Sequence, residues 1–312
     1  LEAQLNVDAD AEAGYYQCMY PAQRPLIPRL PSNHVQLHLS GKVIPSKLKQ
    51  HIRTASTAPQ YFTAIAKRFH WTQAVLDTVD WQAYKQTIGR FRPQRIQITK
   101  LCNNLLPTAR WAHRYDSLTT EHCIHCGETE DRDHILKCAS PSRQKWRNSL
   151  LTHIRKAHDS DQSDHYLLDI LIAGLHAWFT DTPLHVHRFP RRYHKLIAEQ
   201  TAIGWRHLFN GHLSSEWRIK QDYYVRRRKI HTLTHTGAGW SRRTLTVIWT
   251  DFFVVWKARN EAIHGHDSAS QHQARQRKVR IEMEVLHTQR EHVLACNTDI
   301  FIGDTPADLS HY

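Results

Sequence analysis

The chain has 312 residues, with 42 Lys and Arg against 29 Asp and Glu, a formal charge of +13 before any of its 25 histidines takes a proton. A sizeable core fits that length. Forty per cent hydrophobic residues and ten tryptophans argue against a disordered chain, and no apolar run reaches the ~18 residues of a membrane span. So large a positive excess favours polyanionic partners, nucleic acid foremost.

Residues 1–33 are acidic, then proline-rich through Pro21, Pro25, Pro28 and Pro31, and read as a linker or the tail of an upstream domain. They hold no signal peptide, and a chain opening at Leu1 reads as a fragment or processed piece. "VQLHLSG" at 35–41 alternates apolar and polar residues and predicts a strand. From Pro45 to Arg90 the spacing turns helical: Leu48 with Ile52, then Phe62, Ile65, Ala66 and Phe69, then Val75, Leu76 and Val79, then Trp81, Tyr84 and Ile88. Another helix is expected over Ile96 to Leu106, ended by Pro107.

A cysteine cluster follows, after which Trp146, Leu150 and Ile154 keep helical register. "DSDQSD" at 159–164 is a polar break, and "HYLLDILIAGLHAWF" a strongly apolar helix. A helix near 193–210, a basic segment at 216–230, a second apolar helix stopped near Gly265 and a long charged helix complete the chain. No repeat of fixed period is present.

The cluster spaces Cys123, Cys126, His134 and Cys138 as Cys-x2-Cys-x7-His-x3-Cys. Cys-x2-Cys is a tight turn that aims two thiolates at one point, and His-x3-Cys puts the second pair on one face of a helical turn. Gly127 supplies backbone freedom for the turn. Four such ligands make a closed tetrahedral site for one structural Zn2+, with no position left for catalytic water. His122 and His125 are rival ligands, and His125 sits inside the turn, where its side chain should point away. The expected fold is therefore mainly α, helical bundles flanking a small Cys3His zinc knuckle. The expected division is the linker at 1–33, a helical connection domain at 34–120, the knuckle at 121–146 and a C-terminal helical domain at 147–312.

The knuckle loop carries Glu128, Glu130, Asp131 and Asp133 against Arg132 and is a poor phosphate binder. Its flanks are better candidates: Arg110 and Arg114 before it, Arg143, Lys145 and Arg147 after it. "WRIKQDYYVRRRKIH" packs Arg218, Lys220, Arg226, Arg227, Arg228 and Lys229 around Trp217, Tyr223 and Tyr224. Cations there would neutralise phosphates and aromatics would stack on bases.

The stretch from Trp81 to Trp146, with "LLPT" ahead of "CIHCGETEDRDHILKC", resembles the zinc-binding region that follows the polymerase domain in non-LTR retrotransposon reverse transcriptases, especially those of diatoms and other protists. "WTDFFVVWKARNEAIHGHD" is similar to the helix that closes many such proteins. Many relatives, particularly in plants, space the last pair His-x4-Cys where this chain has His-x3-Cys, and retroviral nucleocapsid knuckles have a shorter central gap. The resemblance implies a non-catalytic, intracellular piece, in cytoplasm or nucleus. Its partners would be RNA or DNA and the upstream reverse transcriptase domain of the same polyprotein, with no membrane. Neither the paired carboxylates of a polymerase turn nor those of an RNase H sheet are present.

Two alternatives stand beside this. Arg259 and His264, spaced Arg-x4-His, are similar to the pair in HEPN-type metal-independent RNases, with histidine as acid or base and arginine on the phosphate. The chain could also be a degenerate remnant without function.

Overall fold

Short polar side chains set where the helices begin. Thr72, Asp80, Thr108, Asp131, Asp164, Ser214 and Thr236 each sit just ahead of a helix and accept from a backbone N–H in its first turn. Each such cap is worth about 1 kcal/mol. The computed structural model describes residues 8–15, 38–39, 42–44, 46–116, 119–159, 162–229 and 235–288. Of the expected linker, only residues 8–15 are among these, as a helix (α1). The predicted strand is reduced to β1 His38–Leu39, paired antiparallel with β2 Lys42–Val43; residues 35–37 and 40–41 lie outside the described residues. Every other regular element described is helical.

The chain divides into two compact units, Leu1–Trp71 and Thr72–Tyr312. The first contains α1, the hairpin and α2, Leu48–Phe69, which closes on His70 in the left-handed conformation. The second holds α3 Gln73–Thr78, α4 Trp81–Ile88, α5 Arg95–Cys102, α6 Ala109–His113, α7 Arg132–Lys137, α8 Pro141–His158, α9 His165–Thr180, α10 His194–Ile203, α11 Ser215–Arg227, α12 Gly237–His264 and α13 Ser268–Thr288. The expected boundary at 120/121 falls within this unit, and the one at 146/147 falls inside α8. The reason is packing. Ile135 and Leu136 of α7, and Trp146, Leu150 and Ile154 of α8, all belong to the core that α12 completes.

Helix α12 is the axis of this unit. Its 28 residues extend about 42 Å at 1.5 Å per residue. Helix α8 lies antiparallel to it: Arg243 Nη1 donates to the Ala157 carbonyl at 3.1 Å, and Trp146 Nε1 to the Asp251 carbonyl at 2.9 Å. Helix α11 covers the first turns of α12, where Trp217 and Trp240 stack with centroids 5.2 Å apart. Tyr84 and Phe91 meet Trp249 edge-on at mid-length, at 5.8 and 5.6 Å.

The helix expected near 193–210 ends at Ile203, because Gly204 takes φ +99° and turns the chain. Residues 204–214 then form a buried polar keystone. The Gln200 amide oxygen accepts from Ser214 N at 3.0 Å and Trp217 Nε1 at 2.9 Å. The Phe209 carbonyl accepts from Trp249 Nε1 at 2.9 Å, and Asn210 Oδ1 from Arg132 Nη1 at 3.0 Å. Such groups are tolerated inside only when satisfied, as these are.

Candidate metal centre

The Cys-x2-Cys turn is closed by its own backbone. Cys123 N–H donates to the Glu128 carbonyl at 2.7 Å and Gly127 N–H to the Cys123 carbonyl at 2.9 Å. Gly127 has φ +79°, the left-handed conformation its lack of a side chain allows. An isolated antiparallel bridge between His122 and Thr129 returns the chain. Asp131 then starts α7 by accepting from His134 N at 2.8 Å, and one helical turn places His134 beside Cys138.

The four ligand atoms lie within 4.8 Å of one another. Cys123 Sγ is 3.9 Å from Cys138 Sγ, Cys126 Sγ is 3.6 Å from Cys138 Sγ, and His134 Nε2 is 3.2 Å from Cys126 Sγ. Tetrahedral bonds of ~2.3 Å to sulfur put sulfurs ~3.8 Å apart, so this Cys3His group could hold one metal ion with little rearrangement. Neither His122 nor His125 joins the group.

The surroundings treat the thiols differently: burial, with hydrogen bonds to Cys138 and Cys123, pushes Cys126 up to about 11, so that a cation is needed to hold it as thiolate, whereas Cys138 is favoured as thiolate. Burial alone would push the Cys138 thiol up, but hydrogen bonds from the Ser140 hydroxyl and amide, and from the neighbouring cysteines, bring it below its ordinary value. Three thiolates and a divalent ion carry one net negative charge. Arg143, 4% exposed, supplies positive charge against it: burial lowers its pKa, while Cys138, Cys123 and Glu130 oppose that fall. Arg147 Nη1 donates to the carbonyls of Leu136 and Cys138 at 3.2 and 2.9 Å and so ties α8 to the ligand turn. By contrast, Cys102 lies elsewhere in the core with its thiol pushed up to about 12 by burial, and it donates to the Asn210 carbonyl.

A link that the sequence did not disclose joins this module to the axis. Glu130 is buried and accepts from Arg259 Nε at 3.1 and 3.3 Å, while its Oε1 also accepts from Ala109 N at 2.8 Å. The signal was present only as an acidic loop and a distant arginine.

The structure sorts the expected nucleic-acid contacts. Arg143 faces the thiolates, buried away from any polyanion, and Arg147 is held by backbone carbonyls. Both are therefore set aside as phosphate ligands. Arg218 leans on Asp80 at 3.7 Å and Lys220 on Glu216 at 3.3 Å, which leaves them partly neutralised. Trp217 lies in the core and cannot meet a base. Arg110, Arg114, Lys145, Arg226, Arg227, Arg228 and Lys229 are exposed, as is Tyr223. Among the described residues no helix is long and apolar enough to cross a membrane. No protein-family model matches the chain, and no curated protein or solved structure does.

Proposed function

We propose that this chain is the non-catalytic, zinc-binding C-terminal portion of a retroelement reverse transcriptase, and that it binds or positions RNA or DNA for an upstream polymerase domain. The observation that carries the reading is the converged Cys3His group in the stretch that resembles that family. Three cysteine sulfurs and an imidazole nitrogen within 4.8 Å of one another favour zinc over harder divalent ions, and a full set of four ligands favours structure over catalysis. The charge of +13 and the exposed cations of α11 supply the attraction for phosphate.

Titrating RNA and DNA oligonucleotides between about 50 and 200 mM salt tests it. The expected result is an affinity that falls steeply with salt and varies little with sequence. A flat salt response contradicts it.

One observation favours the HEPN-type reading: Arg259 and His264 both line a cleft of about 580 Å³. Against it, the Arg259 guanidinium is already bound to Glu130. Cleavage of RNA that disappears in His264→Ala would support this reading; no cleavage by the wild-type chain would remove it.

A further inference from the structure

Helix α8, "PSRQKWRNSLLTHIRKAH", contains no Asp or Glu in 18 residues. Its buried half holds Trp146, Leu150, Leu151 and Ile154, together with Arg143 and His158. The opposite half presents Lys145, His153, Arg155 and Lys156 among Gln144, Asn148, Ser149 and Thr152. An ordinary solvated helix mixes both signs of charge; this face offers cations and neutral polar groups without a carboxylate, with the Ser149 and Thr152 hydroxyls already donating to the Lys145 and Asn148 carbonyls. Across the helix pair, the Asp251 carboxylate is only 6% exposed and bonds to His153 Nδ1 at 2.8 Å. Asp159 follows at the C-cap.

We infer that this face of α8 is a binding surface for the backbone of double-stranded nucleic acid, an inference that rests on the nucleic-acid reading above. Charge selects a polyanion, and the lack of aromatic rings selects the duplex. Single strands are held largely by stacking bases on aromatic side chains, and the tryptophan of α8 is turned into the core. A duplex hides its bases and shows its phosphates, which Lys, Arg, Asn, Gln, Ser and Thr side chains bind without reading sequence. Lys145 and Lys156 stand eleven positions apart, ~16 Å along the helix. That exceeds the ~12 Å width of a major groove, so the two ends reach phosphates on opposite walls.

The exposed aromatic-basic end of α11, with Tyr223, Arg226, Arg227 and Arg228, has the chemistry for unpaired strands and is the internal control. Two triple variants are compared with the wild-type chain, Lys145→Ala/Arg155→Ala/Lys156→Ala and Arg226→Ala/Arg227→Ala/Arg228→Ala. Fluorescence anisotropy follows a duplex of about twenty base pairs and its single strand across a salt series. The α8 triple should lower duplex affinity at least tenfold and make its salt slope shallower by about 2–3, near one for each phosphate no longer neutralised. Single-strand binding should change less than in the α11 triple. The single Lys156→Ala, at an exposed helical position, should remove about one unit of slope and serves if the triple misfolds.

Wild-type binding of duplex with the same affinity and slope in the α8 variants overturns the inference and leaves the function reading intact. Failure of the wild-type chain to bind any nucleic acid overturns both. Loss of binding to phosphatidylserine vesicles with duplex binding retained overturns the inference and gives the face to an anionic lipid surface.

Discussion

Glu130 and Arg259 stand 129 positions apart and form one buried ion pair, with Arg259 Nε 3.1 and 3.3 Å from the two carboxylate oxygens. The pair fastens the metal module to the last turns of α12. Arg259 also lies over the Trp256 ring, 5.2 Å from its centroid. Arg259→Ala leaves a carboxylate buried without its partner, which costs about 3–5 kcal/mol. Urea unfolding should show that loss, and competition with a chelator should show weaker metal retention. Arg259→Lys should not restore either, because a single ammonium cannot reproduce the planar fork. Stability unchanged in Arg259→Ala would show that the pair carries no coupling.

Removing the metal should loosen more than the sixteen residues that hold it. Ile135 and Leu136 lie between the ligands His134 and Cys138 and pack in the shared core, so a freed α7 unpacks against α8 and α12. The melting temperature should rise with free zinc, by an amount equivalent to about 4 kcal/mol at a thousand times Kd. A melting curve indifferent to zinc and to chelator would contradict this.

Three histidines are buried in neutral form, and stability should fall in acid because of them. Burial holds His158 at about 3, with Arg243 adding to the shift. Burial likewise holds His207 at about 2 and His212 at about 3. Their folded values lie below the ordinary 6.5, so the unfolded chain takes up protons first as pH falls. The stabilisation is complete above about 6.5 and is lost below it at ~1.4 kcal/mol per pH unit for each group. His158 is the cleanest probe, since it bonds to Thr244 and packs against the Trp240 ring with centroids 4.6 Å apart, on α12 turns well before Arg259 and the metal module. At saturating zinc, His158→Gln should differ from wild type by a free energy that shrinks by about 2 kcal/mol between pH 6.5 and 5. A constant difference would mean that His158 does not titrate on unfolding.

Close approach of α11 and α12 depends on Gly237. A Cβ there would lie 2.0 Å from the Arg218 carbonyl oxygen, and the Gly237 N–H already donates to Asp222 Oδ1 at 2.6 Å. Gly237→Ala should therefore destabilise by about 1–3 kcal/mol or more, since backbone must move. Thermal melts will show it, and a melting point equal to wild type would argue against the packed pair.

Much of the helical layout was legible because it rests on local signals. The three- and four-residue spacings that end in Trp146, Leu150 and Ile154 became the buried stripe of α8, and Gly265 does stop α12. The ligand spacing was legible for the same reason: one turn of loop and one of helix determine it. What the sequence hid is long-range. Nothing local pairs Glu130 with Arg259. The helix expected near 193–210 stops short at Ile203, because a glycine in a positive-φ conformation at 204 decides the geometry. The expected boundaries at 120/121 and 146/147 lie inside one compact unit, because a segment with ligands of its own still lends two aliphatic side chains to the common core.

A structural zinc held by the Cys3His group is the central claim. The most direct measurement is the zinc content of the chain purified without added metal, set beside Cys138→Ala. The expected result is one zinc per chain, absent from the variant together with much of the order at the C-terminal end of α12. A wild-type chain that is cooperatively folded and free of zinc would contradict the claim.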